Sequence, residues 1–201
     1  MANQAHPKAV EEWSSEQGVK NLIQLWNTMP TKPETEKLIG AMVENCTPHE
    51  TIVDLGCGPG RKLTILPDHR SYRGYDISEL FIQAAIENYG NDKAHSFQMR
   101  SLFDGAPYRK PVDVLLCIDV AQHYADPLGL LKTVMELWPA QKYIFTVLHG
   151  PEKQDLLNGY VAATADLERW LSENGVVNEQ RDYPLKDFAP LTMRYASFKN
   201  R

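Results

Sequence analysis

The stretch Thr51-Ile52-Val53-Asp54-Leu55-Gly56-Cys57-Gly58-Pro59-Gly60 constrains the fold of this chain most tightly, because an apolar run closes on an acid and opens into a glycine-rich turn. A continuous apolar run marks a strand buried on both faces, as happens where helices cover a parallel sheet from two sides. The turn then lies where the strand feeds a helix, and ligands bind at that end of open α/β sheets. Glycine suits it because a side chain would hold the backbone away from a ligand, and because such turns often need φ > 0.

The rest of the chain alternates helices and strands, the pattern of a parallel sheet covered on both faces. Two helices are expected before the first strand: Glu11–Asn27, stopped by Met29-Pro30, and Glu34–Cys46, stopped by Thr47-Pro48. Leu38, Ile39, Met42, Val43 and Cys46 make the second amphipathic. Ser78 and Gly90 cap a helix over Glu79–Tyr89, and Asp126-Pro127 opens another that runs to Leu137. Further strands are expected around Ala94–Met99, Pro111–Ile118 and Tyr143–Leu148, with a helix over Thr164–Asn174 ended by Gly175. Val176–Arg181 and Leu191–Phe198 close the chain as two strands. Their link around Pro184–Pro190 is too short for a crossover helix, so they should pair antiparallel.

The details of the glycine turn narrow its chemistry. A dinucleotide fingerprint would be G-x-G-x-x-G, with a pyrophosphate on the helix N-terminus. Here the glycines are Gly56, Gly58 and Gly60, and Arg61 holds the last position of that pattern. Asp54, two residues before Gly56, would repel a pyrophosphate and suits a ligand with an ammonium group. A second acid, Asp76 in Tyr72-Arg73-Gly74-Tyr75-Asp76-Ile77-Ser78, lies 20 residues beyond Gly56. A carboxylate at the end of the next strand can accept two hydrogen bonds from ribose hydroxyls. Asp76 and Ser78 also read as a plain helix start, and the two readings are compatible. NAD uses the same pair of features, so Asp76 supports a ribose-bearing cofactor without choosing one.

Asp54-Leu55-Gly56-Cys57-Gly58-Pro59-Gly60 resembles the first motif of the class I S-adenosylmethionine (SAM)-dependent methyltransferases, whose ligand has an amino-acid end and a sulfonium but no phosphate. Five β/α steps followed by a terminal hairpin are similar to that family's core from about Glu34 to the C-terminus. The resemblance implies an α/β, three-layer Rossmann-like methyltransferase fold with a mostly parallel seven-stranded sheet and an antiparallel last strand. Residues 1–46 would form a helical lid that caps the substrate, and 47–201 the SAM-binding core of a single domain. The cofactor implied is SAM, with S-adenosylhomocysteine (SAH) as product. Asp54, Gly56, Cys57, Gly58 and Gly60 would form its turn, Asp76 would hold the ribose and Ile77 would lie against the adenine. Phe97-Gln98-Met99-Arg100-Ser101-Leu102 looks like the third-strand motif, with Ser101 where the family commonly has an acid and Leu102 beside it. Backbone groups of Cys117 and Ile118 would face the methionine end.

Methyl transfer is an in-line displacement, and aligning the reactants can lower the barrier by roughly 7–11 kcal/mol, against ~10²–10⁴-fold from a general base. An amine or hydroxyl acceptor must still lose a proton. His123 is the candidate base, since its pKa lies close to working pH, and Asp119 is a candidate to orient the acceptor or share that role. His123 also reads as a helix-start residue beside Asp126, and His149 as a solvated loop histidine. The N-terminal helices and the loop Gly150–Ala163 are candidate lids. Trp13, Trp26, Tyr108 and Tyr160 suggest an aromatic pocket or simple core packing. Lys20, Arg61, Lys62, Arg70 and Arg73 read as a solvated face.

The 201 residues fit one α/β domain, with 43% hydrophobic and 23% charged residues, as in ordinary soluble proteins. No apolar run reaches membrane-spanning length and Met1–Glu12 is polar, so no membrane association is expected and the default compartment is cytoplasmic. Cys46, Cys57 and Cys117 lack zinc-ligand spacing, no His-x-x-x-His pair occurs, and no metal is expected. A net charge of −5 argues against a nucleic-acid partner. The chain also lacks the Asn/Asp-Pro-Pro-Tyr/Phe signature of amino-group nucleic-acid methyltransferases, a Pro-Cys pair for cytosine chemistry, and the Asp-Asn pair of the metal-dependent catechol type. The reading that results is methyl transfer to an oxygen, nitrogen or carbon of a small-molecule acceptor. A protein- or tRNA-directed methyltransferase and a non-catalytic SAM-binding regulatory module are the alternatives. Acceptor identity and oligomeric state are not encoded in these motifs.

Overall fold

In the computed structural model, residues 4–28, 32–46, 51–156, 159–184 and 192–199 are described. The chain enters through three helices, α1 (Pro7–Trp13), α2 (Glu16–Thr28) and α3 (Lys32–Glu44). The single helix expected over Glu11–Asn27 is therefore two. Ser14 closes α1, and Ser15 then accepts the Gly18 amide at 3.1 Å, a serine cap that starts α2 afresh.

The sheet comprises β1 (Thr51–Leu55), β2 (Ser71–Asp76), β3 (His95–Met99), β4 (Val112–Cys117), β5 (Ala140–Gly150), β6 (Gln154–Leu156), β7 (Gly159–Ala163), β8 (Val176–Pro184) and β9 (Thr192–Lys199). Helices α4 (Glu79–Tyr89), α5 (Pro127–Leu137) and α6 (Thr164–Asn174) join them. Strands β3, β2, β1, β4 and β5 lie side by side in parallel, and β9 pairs with β5 antiparallel, from Tyr143 opposite Phe198 to His149 opposite Thr192. β8 lies outermost, antiparallel to β9. The expected seven strands and antiparallel last strand are all present.

Two further strands were not anticipated. The segment after β5 forms a β6–β7 hairpin, with Asp155 opposite Tyr160, and β7 runs parallel to the last two residues of β5. Three-residue β6 is too short for periodicity to reveal. The helix expected after the glycine turn is the other departure. Arg61–Ile65 forms only a five-residue 3-10 helix, and Pro67 forbids a longer one.

Alternation along the strands divides the core in two. On one face Val53, Leu55, Leu115, Cys117, Tyr143 and Phe145 pack under α5 and α6, around the fully buried Trp138. On the other, Ile52, Tyr72, Val114, Leu116 and Ile144 meet Ile39, Met42, Val43 and Cys46 of the α3 segment and Ile82 and Ala85 of α4. These two covered faces make the three layers, and they leave the C-terminal ends of β1, β2, β3 and β4 as the open edge. Among the described residues no helix is long and apolar enough to cross a membrane.

Candidate active site

The glycine turn lies at that edge, with Gly56, Gly58 and Gly60 at φ of 68°, 54° and 78°. Two of these leave no space for a side chain as well. A Cβ on Gly56 would run into the Cγ2 of Val120, and one on Gly60 would lie 2.9 Å from the rings of Phe97 and Tyr89. The β1 and β4 loops thus touch backbone to side chain, which closes the floor of the crevice.

Asp76 fixes the turn from the next strand. Its Oδ2 accepts the Gly58 amide and its Oδ1 the Ser78 amide, both at 2.9 Å. Burial pushes its carboxyl above the usual range, while these two donors favour the charged form. Each oxygen keeps a further lone pair for a ligand such as a ribose diol. Ser78 also caps α4, accepting the Phe81 amide at 3.4 Å, so this segment is the helix start expected of it. Beside Asp76, Ile77 is 51% exposed and Met99 is 61% exposed, and Asp76 and Met99 stand opposite each other in the β2–β3 register. Open apolar side chains at a crevice edge suit the face of a flat ring.

Asp54 is fully buried. Its Oδ2 accepts the Tyr72 hydroxyl at 2.7 Å and lies 3.5 Å from the Lys62 ammonium, whereas its Oδ1 is buried with no partner among the described residues. Burial raises the Asp54 carboxyl, with Lys62 and Tyr72 opposing that rise. Burial acts to lower Lys62, but Asp54 and Asp119 outweigh it and hold its pKa above the ordinary value. Lys62 Nζ also donates to the Gly56 carbonyl at 3.4 Å. The solvated-face expectation thus fails for Lys62, whose side chain is only 16% exposed, and for Arg61, which is half-buried against Glu36 at 3.1 Å. Six residues lie between Gly60 and Pro67, a sequence signal that the helix after the turn would be short.

The third-strand positions are placed differently from each other. Ser101 caps a short 3-10 helix at Leu102–Asp104, its hydroxyl accepting the Phe103 amide at 3.2 Å and its own amide donating to Asp104 at 3.0 Å. Leu102 is buried, and Phe103 is exposed. On β4, burial pushes the Cys117 thiol up to about 12, and burial likewise holds the Cys57 thiol well above its usual value, so neither is a nucleophile at neutral pH. Ile118 is buried at the β4 end.

Asp119 follows in a left-handed conformation, φ 59°, which is strained for a residue other than glycine. Thr146 of β5 holds it there, accepting the Asp119 amide at 2.7 Å and donating to its Oδ1 at 3.4 Å. The carboxylate is exposed and faces the electrostatic field of Lys62. His123 sits in the next turn, half-buried, with its ring edge-on to Trp13 at 5.1 Å.

Trp13 reaches His123 because the N-terminus is strapped over this loop. Ala5 bridges Tyr124, the His6 amide donates to the His123 carbonyl at 2.7 Å, and the Ala125 amide donates to the Gln4 carbonyl at 3.2 Å. The Trp13 carbonyl accepts the Ser78 hydroxyl at 2.6 Å, which ties α1 to the open edge of the sheet. The β6–β7 hairpin closes the other flank: a Cβ on Gly159 would lie 2.7 Å from the Gln122 carbonyl, and Tyr160 packs on His6 at 5.3 Å. Tyr108, by contrast, packs on Trp138 in the core, and the side chain of Trp26 lies outside the described residues. His149 is buried and bonded to Thr164 at 2.9 Å, so it is neither a solvated loop residue nor part of this cluster. Among the described residues no group of three His, Cys, Asp or Glu could hold a metal ion.

This geometry agrees with what the chain is similar to. The model of a family described as a methyltransferase domain matches residues 47–186. Among solved structures, the N-methyltransferase NodS of Bradyrhizobium japonicum WM9, in complex with SAH, superposes with a TM-score of 0.71 at 13% identity, covering 97% of each chain. The magnesium protoporphyrin IX methyltransferase ChlM of Synechocystis PCC 6803, with bound SAH, gives 0.71 at 15% identity, covering 96% of this chain and 99% of the other. The [4+2]-cyclase SpnF gives 0.66 at 10% identity, covering 86% and 84%. No curated protein matches in sequence. The glycine turn, its two acids and strands β1 to β8 fall within the span of the family model, and the chain belongs to the methyltransferase-domain family.

Proposed function

We propose that this protein transfers a methyl group from SAM to an oxygen, nitrogen or carbon atom of a small-molecule acceptor. The observation that carries the choice of acceptor is the double cover over the loop after β4: the strap Gln4–His6 on one side and the close seat of Gly159 on Gln122 on the other. A covered acceptor site admits a compact molecule and keeps a folded protein or tRNA out. ChlM, with its named small-molecule substrate, supports the same reading.

SAM, when bound, supplies an electrophilic methyl group on its sulfonium. The chain's own residues fit such a ligand. In this reading Asp76 accepts the ribose hydroxyls through its two free lone pairs, and Ile77 lies against the adenine. The backbone at Gly56, Cys57, Gly58 and Gly60 allows close approach, Ser101 and Leu102 border the adenine edge, and Cys117 and Ile118 line the methionine end. Asp54 offers its unpartnered Oδ1 to an ammonium. Asp119 and His123 follow β4 toward the covered side, where His123 is the group able to take a proton from the acceptor and Trp13 holds its ring. The strap and hairpin exclude water, as a capping segment 1–46 on a core 47–201 would do.

A screen of small amines, phenols, carboxylates and activated carbon acids with labelled SAM tests the proposal. Turnover of one class, abolished by His123→Ala with SAH affinity retained, is the expected result. Methylation of a protein or tRNA alone, or SAH binding with no acceptor in any class, would overturn it.

A further inference from the structure

Lys62 stands at the crevice edge with no role assigned to it by the motifs. Its ammonium sits 3.5 Å from Asp54 and 3.4 Å from the Gly56 carbonyl, on the 3-10 helix that directly follows the glycine turn. We propose that Lys62 is the residue that binds the carboxylate of the cofactor's amino-acid end, while Asp54 takes the ammonium, so that the two side chains form one receptor for a zwitterion. The proposal rests on the SAM reading above and assigns to Lys62 a role given to it by no motif.

Three observations carry it. First, the pair is incomplete as a structural ion pair: Asp54 Oδ1 is buried without a donor, although burying an unpaired carboxylate oxygen is costly. A donor supplied by a ligand would complete it. Second, Asp54, Asp76 and Asp119 all stand at this edge and all feel the charge of Lys62 or act on it. A ligand carboxylate entering among three acids is repelled unless a cation meets it, and Lys62 is a cation in that position on a flexible stem with three donors. Third, the helix after the glycine turn is too short to do this work. A long helix would turn its positive dipole end toward the ligand, whereas the five residues Arg61–Ile65 sum to little. A side-chain charge replaces it.

Calorimetry with three ligands tests the assignment: SAH, which carries both charges, its decarboxylated analogue, which keeps only the ammonium, and 5′-methylthioadenosine, which has neither. Wild type should bind SAH about tenfold or more tightly than the decarboxylated analogue. Lys62→Met should abolish that difference and leave 5′-methylthioadenosine within about twofold, and Lys62→Arg should restore part of it. Equal loss for all three ligands, unchanged SAH affinity, or tighter SAH binding in Lys62→Met would overturn the proposal. Because removing Lys62 strands a buried Asp54, the variant's melting curve is recorded first. If it fails to fold, the Lys62 ammonium is followed by NMR in wild type, where SAH should move the signal further than the decarboxylated analogue, whose ammonium reaches Lys62 only through Asp54 at 3.5 Å; equal movement contradicts the assignment. Wild type binding none of the three would overturn the SAM reading itself along with it, whereas binding all three with no contribution from Lys62 would remove the proposal alone.

Discussion

Asp76 fixes the Gly58 and Ser78 amides with its two oxygens, and in the proposed function the same carboxylate receives the ribose diol. Asp76→Asn replaces one acceptor by a donor facing an N–H, so SAH affinity should fall about ten- to a hundredfold by calorimetry, the equivalent of one charge-assisted hydrogen bond. His149 carries a different consequence. Burial, then Arg194, hold its pKa below 6.5 despite Asp182 at 3.6 Å. A depressed folded-state pKa means the unfolded chain binds the extra proton, so stability is present above pH 6.5 and is lost as pH falls through the folded value. The melting temperature should therefore drop on acidification below that pH, and His149→Asn should flatten the drop. Asp54, Asp76 and the three glycines were legible in the sequence because their role is set within a few residues of backbone. Lys62 and His149 were not. The partners that set the state of each lie on other segments: Asp54 and Asp119 for the lysine, Thr164 and Arg194 for the histidine.

At the scale of elements, caps and breakers explain what pattern reading found. Asp126 starts α5 by accepting the Gly129 amide at 3.0 Å, with Pro127 in the first turn, and Asp126→Ala should cost about 1 kcal/mol in denaturant unfolding without changing SAH affinity. The glycine turn tolerates less. Gly60→Ala would force a side chain into φ 78° and against Phe97 and Tyr89, a loss of roughly 1–3 kcal/mol by the same measurement, together with weaker SAH binding. Element lengths were harder to read. The expected helix after the turn shrank to Arg61–Ile65 because Pro67 stops it, and the Gly150–Ala163 loop held a hairpin whose second strand, β7, is fixed by two residues of β5 rather than by its own alternation. The break between α1 and α2 hangs on one serine cap inside a continuous polar stretch.

For the whole molecule, two cores on opposite faces of one sheet leave the C-terminal ends of β1 to β4 open among the described residues, and the glycine turn, the strained Asp119 and the strapped His123 all stand along that edge. The three-layer order was legible because continuous apolar runs specify strands covered twice, and the short final link specifies an antiparallel partner. The strap of Gln4–His6 was not, since three residues that pair with a loop carry no periodic signal. Trp13→Ala should loosen that roof, raising the acceptor KM while SAH affinity stays within about twofold, since the Trp13 ring contacts His123 and only its carbonyl bonds Ser78. In the proposed function the crevice between Asp54 and Asp76 receives SAM and not a dinucleotide. Calorimetric titration of the wild-type protein with SAH and, separately, with NAD tests it most directly. One saturable site for SAH and no heat from NAD is the predicted result; binding of NAD with none of SAH would contradict it.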